Sequence, residues 1–168
     1  MSENRSQDIQ LIKLAAQVEK DSLQFLDKFI ERAGASQIIP FLQQVQEESK
    51  GDLETIEVLL ASLESEQVTN DMAGLSLDDY VKELQKKKSE RYYPQARTKE
   101  LLGELYNPIR VLGYLAESLN ELADFYSTSA SNIFYENEKS SFINMAAKKK
   151  DRADVVSRKR KEIITRFP

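Results

Sequence analysis

The chain has 168 residues, 40% hydrophobic and 31% charged, with a net charge of −4, which suits one globular domain with a real core and argues against wholesale disorder. It has no Cys and no His, so disulfides, thiolate zinc sites, cysteine nucleophiles and imidazole-based catalysis or metal ligation are all excluded. Its five glycines (Gly34, Gly51, Gly74, Gly103, Gly113) stand apart from one another, so no glycine-rich phosphate loop is present.

Few Gly and Pro, with abundant Leu, Ala, Glu, Lys and Gln, favour an all-α fold. No apolar run is long enough for a membrane span, and the polar start, Met1 to Arg5, lacks the apolar centre of a signal peptide. A cytoplasmic protein without a membrane segment is the expectation.

Over about 7–33, apolar residues recur in steps of three and four along the seam Ile12, Ala15, Glu19, Ser22, Leu26, Phe29 and Ala33, which predicts a first helix with an acidic residue at its centre. Gly34 suits the position just past its end, and Ser36 suits the N-cap of a second helix over about 37–65, where Pro40 is tolerable in the first turn. The second seam reads Ile38, Leu42, Val45, Ser49, Asp52, Ile56, Leu59 and Leu63, apolar at both ends and polar in the middle. These two helices should form an antiparallel hairpin whose polar centre faces Glu19.

Residues 66–106 break this pattern, with Asn70, Gly74 and Pro94 as punctuation and one short helix predicted from Ser76, where Asp79 supplies a capping-box-like partner. The stretch is too long for a hairpin loop and suits a crossover along the length of a bundle. Tyr92, Tyr93 and Pro94, near Lys86, Lys87 and Lys88, read as anchors of that crossover or as a docking patch.

Asn107 and Pro108 read as N-cap and first residue of a third helix over about 107–133, with the apolar seam Leu112, Leu115, Leu119, Leu122, Tyr126, Ser129 and Ile133. Tyr126, and Tyr114 near it, are expected in core packing, the alternative being radical sites in an oxidative enzyme. A fourth helix over about 137–166 carries Phe142, Met145, Lys149, Arg152, Val156, Lys159 and Ile163, with a basic centre. From residue 146 onward nine basic and three acidic residues give +6, which leaves −10 on the rest of a chain that totals −4. Such asymmetry is expected to be a solvated helix face, and nucleic-acid binding is not expected.

The four seams superpose with a constant offset of one hundred residues: 12 onto 112, 19 onto 119, 26 onto 126, 49 onto 149 and 52 onto 152. Two copies of one helical hairpin are the natural reading. The stretches Ala15 to Leu26 and Phe41 to Leu53, repeated through Leu119 to Tyr126 and Phe142 to Ala153, resemble the ferritin-like four-helix bundles, and the rubrerythrin-type domain in particular. That resemblance implies two antiparallel hairpins joined by the long crossover, with one Glu on each of the first and third helices and a Glu-x-x-His on each of the second and fourth holding two metals.

Carried onto this chain, those positions are Glu19, Ser49 with Asp52, Leu119, and Lys149 with Arg152, so the di-iron ligands are degenerate. Only Glu19 and Asp52 keep a carboxylate, and two cations stand where ligands would be. The expectation is a metal-free scaffold or interaction module with a polar core cluster of Glu19, Ser49, Asp52, Lys149 and Arg152, no catalytic residues and no cofactor. Self-association, as a dimer, or a further protein partner is expected with it.

The alternative is a residual metal-binding protein or oxidoreductase loaded with iron or manganese, using Glu19, Asp52 and, through a one-residue shift of register, Glu48 or Glu117. A third placement puts Lys149 and Arg152 on a solvated face, leaving Ala146, Ala153 and Val156 as the core stripe.

Overall fold

A computed structural model describes residues 2–33, 37–66 and 107–166. Among them are helices α1 (Ser2–Ala33), α2 (Ile39–Glu66), α3 (Pro108–Ala130) and α4 (Glu136–Arg166), and no strand. The chain is therefore all-α over its described length. The expected turn at Gly34 and Ser36, the short helix from Ser76 and the Lys86–Pro94 stretch all lie outside the described residues.

Two boundaries differ by three residues or more from those read off the periodicity, the others by one or two at most. Helix α1 begins five residues before position 7, because its first turn is held from the side: Arg5 lies 4.5 Å over the Tyr135 ring, and the Gln7 amide donates to the Asn132 carbonyl at 3.0 Å. Helix α3 stops at Ala130, short of residue 133, where the amides of Ser131, Asn132 and Ile133 turn back to carbonyls three residues earlier. Ile133 still reaches the core from the turn. The start of α3 follows the sequence signal, since Asn107 accepts the Ile109 amide at 3.0 Å and Pro108 opens the first turn.

Cross-helix pairs fix the directions. Lys13 meets Glu64 at 3.3 Å and Asp27 accepts from Gln46, so α1 and α2 are antiparallel. Arg160 donates to the Ile109 carbonyl at 3.0 Å, and the rings of Tyr126 and Phe142 stand 5.1 Å apart, so α3 and α4 are antiparallel too. Phe25 against Tyr114 at 5.0 Å, with Gln7 against Asn132, runs α1 opposite to α3. Glu48 with Arg152, and Phe41 with Lys159, run α2 opposite to α4. Helices α1 and α4 thus share one direction and α2 and α3 the other, which leaves the end of α2 and the start of α3 at opposite ends of the bundle.

Burial repeats with the hundred-residue offset. Ile12 and Leu112, Ala15 and Leu115, Glu19 and Leu119, Phe25 and Phe125, and Leu26 and Tyr126 are buried in pairs on α1 and α3. On α2 and α4 the buried pairs are Leu42 and Phe142, Val45 and Met145, Ser49 and Lys149, Asp52 and Arg152, and Ile56 and Val156. Equivalent positions keep the same depth while their chemistry diverges, and the divergence is concentrated at mid-bundle. Apolar residues above and below, such as Phe29, Leu42 and Phe142, exclude water from that centre.

Candidate functional site

The polar positions of the seams converge at the middle of the bundle, where helix packing places Glu19 on α1, Asp52 on α2, Tyr126 on α3, and Lys149 with Arg152 on α4. The Lys149 ammonium is fully buried, donates to Glu19 Oε2 and to Asp52 Oδ2 at 2.9 Å each, and lies 2.8 Å from Glu19 Oε1. Arg152 donates from Nη1 to the same Asp52 oxygen at 2.6 Å and from Nε to Glu48 at 2.7 Å. The Tyr126 hydroxyl donates to Glu19 Oε1 at 2.7 Å. All four helices contribute, and the bonds run as one chain from Tyr126 through Glu19, Lys149, Asp52 and Arg152 to Glu48 at the rim.

Charge balance explains why such a cluster is tolerable inside an apolar core. Each isolated ion would lose several kcal/mol on leaving water, and here each carboxylate is matched by a cation at hydrogen-bond distance. Burial pushes the Asp52 carboxyl upward, but the Lys149 charge and the Arg152 bond outweigh it and hold the group below its ordinary value. Burial likewise works against the Arg152 charge, which the bonds to Asp52 and Glu48 more than restore. The Tyr126 phenol is pushed well above its ordinary value by burial and by the neighbouring Glu19 charge.

The placement of Lys149 and Arg152 decides between the readings open from the sequence. Lys149 has no exposed side-chain surface and Arg152 only 8%, so the solvated-face placement is overturned: the carboxylates opposite draw both cations inward. The shifted register is overturned as well, because Glu117 is exposed on α3 and Glu48 stays at the rim, 44% exposed, as a partner of Arg152. Leu119 is buried and contributes no polar atom to the cluster. Ser49 is buried on α2, one turn before Asp52, and its hydroxyl has no hydrogen-bond partner among the described residues.

The iron or manganese implied by the resemblance does not fit these residues. Among the described residues no group of three or more acidic side chains is placed to hold a metal ion, and the two buried carboxylates both face an ammonium. A divalent ion 4 Å from that ammonium would meet a repulsion of about 8 kcal/mol at an effective dielectric near 20.

Two further polar features were missed by the periodicity. Asp8 is fully buried near the start of α1, and its carboxylate accepts the backbone amides of Phe134 and Tyr135 at 3.1 and 3.2 Å, which pins the α3–α4 turn to α1. Burial raises its pKa despite those two bonds, and the buried Glu138 nearby adds to the rise. Asp8 lies one turn before Ile12, and Glu138 stands one hundred residues after Ile38, so extending the seams outward would have found both. The Tyr126 hydroxyl was the other omission, since on periodicity alone the residue counts as a buried ring.

No helix among the described residues is long and apolar enough to cross a membrane. Compared with known proteins, the chain matches no protein-family model, no curated protein and no solved structure.

Proposed function

We propose that this chain is a metal-free, non-catalytic bundle of the ferritin-like kind that works as a scaffold or interaction module. The observation that carries this reading is the Lys149 ammonium, which bridges Glu19 and Asp52 at 2.8 to 2.9 Å. In a carboxylate-bridged bundle a metal cation would neutralise and link those groups, and here a covalently tethered cation does so. The up-down-down-up order of the helices and the hundred-residue repeat of buried positions support the ferritin-like arrangement.

The same geometry supports a centre without catalytic chemistry. A general acid or base must give and take a proton at the reacting atom, which calls for access and a matched pKa. Glu19 and Lys149 are sealed from solvent, and the Tyr126 phenol is held protonated. The cluster instead fixes which residues of four helices meet, since a slipped register would strand a buried charge.

The test is metal content by mass spectrometry on untagged protein made with iron and manganese supplied, beside a Glu19→Ala variant. Near-zero metal in both supports the proposal. One or two metals per chain, lost in the variant, would overturn it and restore the carboxylate-ligand enzyme reading.

A further inference from the structure

An open groove of about 620 Å³ lies between α2 and α4, within the size range of small-molecule sites. Its floor is the outer edge of the ion cluster, formed by Arg152, Glu48 and Asp52. Level with them the walls carry Lys148 and Asp151, both exposed, and towards the start of α2 the lining turns apolar with Phe41, Val45 and Val155.

Gly51, which also lines this groove, is the residue that makes it informative. It sits in the interior of a 28-residue helix, where glycine is disfavoured relative to alanine. A Cβ at Gly51 would meet no atom of the described residues within 4 Å, so packing among them does not require glycine, and its helical backbone does not either. Gly113 is different: a Cβ there would come within 3.2 Å of Arg160 Nε. What the missing side chain at position 51 does is leave the groove open above Arg152 and Glu48.

We propose that this groove binds a small zwitterion with an apolar body, an α-amino acid bearing an aliphatic side chain. The walls offer both signs of charge a few residues apart. Arg152 has guanidinium donors beyond the two given to Asp52 and Glu48 and, with Lys148 on the same groove, supplies the donors for the ligand's carboxylate. Glu48 and Asp151, which line the same groove, are the acceptors for its ammonium. Phe41, Val45 and Val155 then cover the aliphatic part. A purely anionic ligand would meet those carboxylates, and a purely cationic one would meet Lys148. The site goes beyond the scaffold reading, and it requires the ion cluster only as a floor.

The experiment is isothermal titration calorimetry of the full chain with L-leucine, with isopentylamine and isovalerate as probes that each carry one of its two charges. Leucine should bind, and each half-charged probe should bind roughly tenfold more weakly or worse, the loss of one charge-assisted contact. Gly51→Leu should abolish binding while its circular dichroism stays unchanged and its Tm does not fall, since the new side chain enters open space. Lys148→Glu should weaken leucine binding roughly tenfold. No heat with leucine at roughly millimolar concentration, binding retained in Gly51→Leu, or equal binding of either half-charged probe would overturn the proposal. Metal content is measured separately, so failure here leaves the metal-free reading standing.

Discussion

Lys149 and Glu19 meet at 2.8 Å with no solvent exposure of either side chain, on helices that run in the same direction through the bundle. Truncating Lys149 leaves Glu19 buried with no cation beside it, and truncating Glu19 leaves the buried ammonium to share Asp52 with Arg152, whereas replacing both with apolar groups leaves no orphan charge. Lys149→Met is therefore expected to destabilise the protein by about 3 to 5 kcal/mol, and Glu19→Leu by less, since Asp52 still pairs with the ammonium. The double variant should lose well under the sum of the two. Urea melts of the four proteins, read as a double-mutant cycle, check this. Additive losses would mean that the two residues do not act as a pair.

Asp52 ties stability to pH in a direction that can be worked out. Its folded pKa lies below the ordinary 3.8, so the folded state binds this proton less readily than the unfolded chain does. The stabilisation is then fully present above the unfolded value and is lost as pH falls through the folded one. Asp8 has the opposite sign: its folded pKa is raised, so its contribution is greatest below the ordinary value and is lost as pH rises through the folded one. The stability gap between wild type and Asp52→Asn should shrink as pH is lowered from about 5 towards 1. Denaturant melts across that range give the gap directly, and a gap that widens on acidification would contradict the assigned pairing.

The mid-bundle cluster was legible in the sequence because it breaks a period. Glu19, Asp52, Lys149 and Arg152 occupy positions on seams made mostly of Ile, Leu, Val, Phe and Met, and a charged residue on an apolar stripe is conspicuous. The hundred-residue offset made two such breaks read as one site. Individual bonds were not legible, since seam position gives depth and says nothing of which oxygen faces which nitrogen. Glu48 shows the limit: it flanks the seam, yet its reach lets it close the outer side of Arg152 at 2.7 Å. Asp8 shows another, because its partners are the backbone amides of a turn more than one hundred residues away.

Tyr126 should behave as a hydrogen-bond donor locked to a carboxylate. Tyr126→Phe removes the bond at 2.7 Å but leaves Glu19 paired with Lys149, so a loss of about 1.5 to 3 kcal/mol is expected, the range for a bond to a charged group. The phenol also should not ionise with ordinary tyrosines, because burial and the Glu19 charge hold it well above pH 10. Alkaline titration of tyrosinate absorbance on the folded protein should show the same amplitude near pH 10 in wild type and Tyr126→Phe. A smaller amplitude in the variant would place the hydroxyl in solvent.

Gly51 and Gly113 should answer an alanine substitution differently. At Gly51 the methyl group enters open space and removes a helix-interior glycine, so Gly51→Ala is expected to stabilise by about 0.5 to 1 kcal/mol. At Gly113 the new Cβ would lie 3.2 Å from Arg160 Nε, the atom that donates to the Ile109 carbonyl at 3.0 Å. The gain in helix propensity there is offset by displacing the guanidinium from a partly buried carbonyl, so Gly113→Ala should be neutral or destabilising. Combining Gly113→Ala with Arg160→Ala removes the crowding, and the second substitution should then cost less than it does in the wild-type background. Thermal melts of these variants separate the cases, and a gain at Gly113 equal to that at Gly51 would show that Arg160 does not crowd that position.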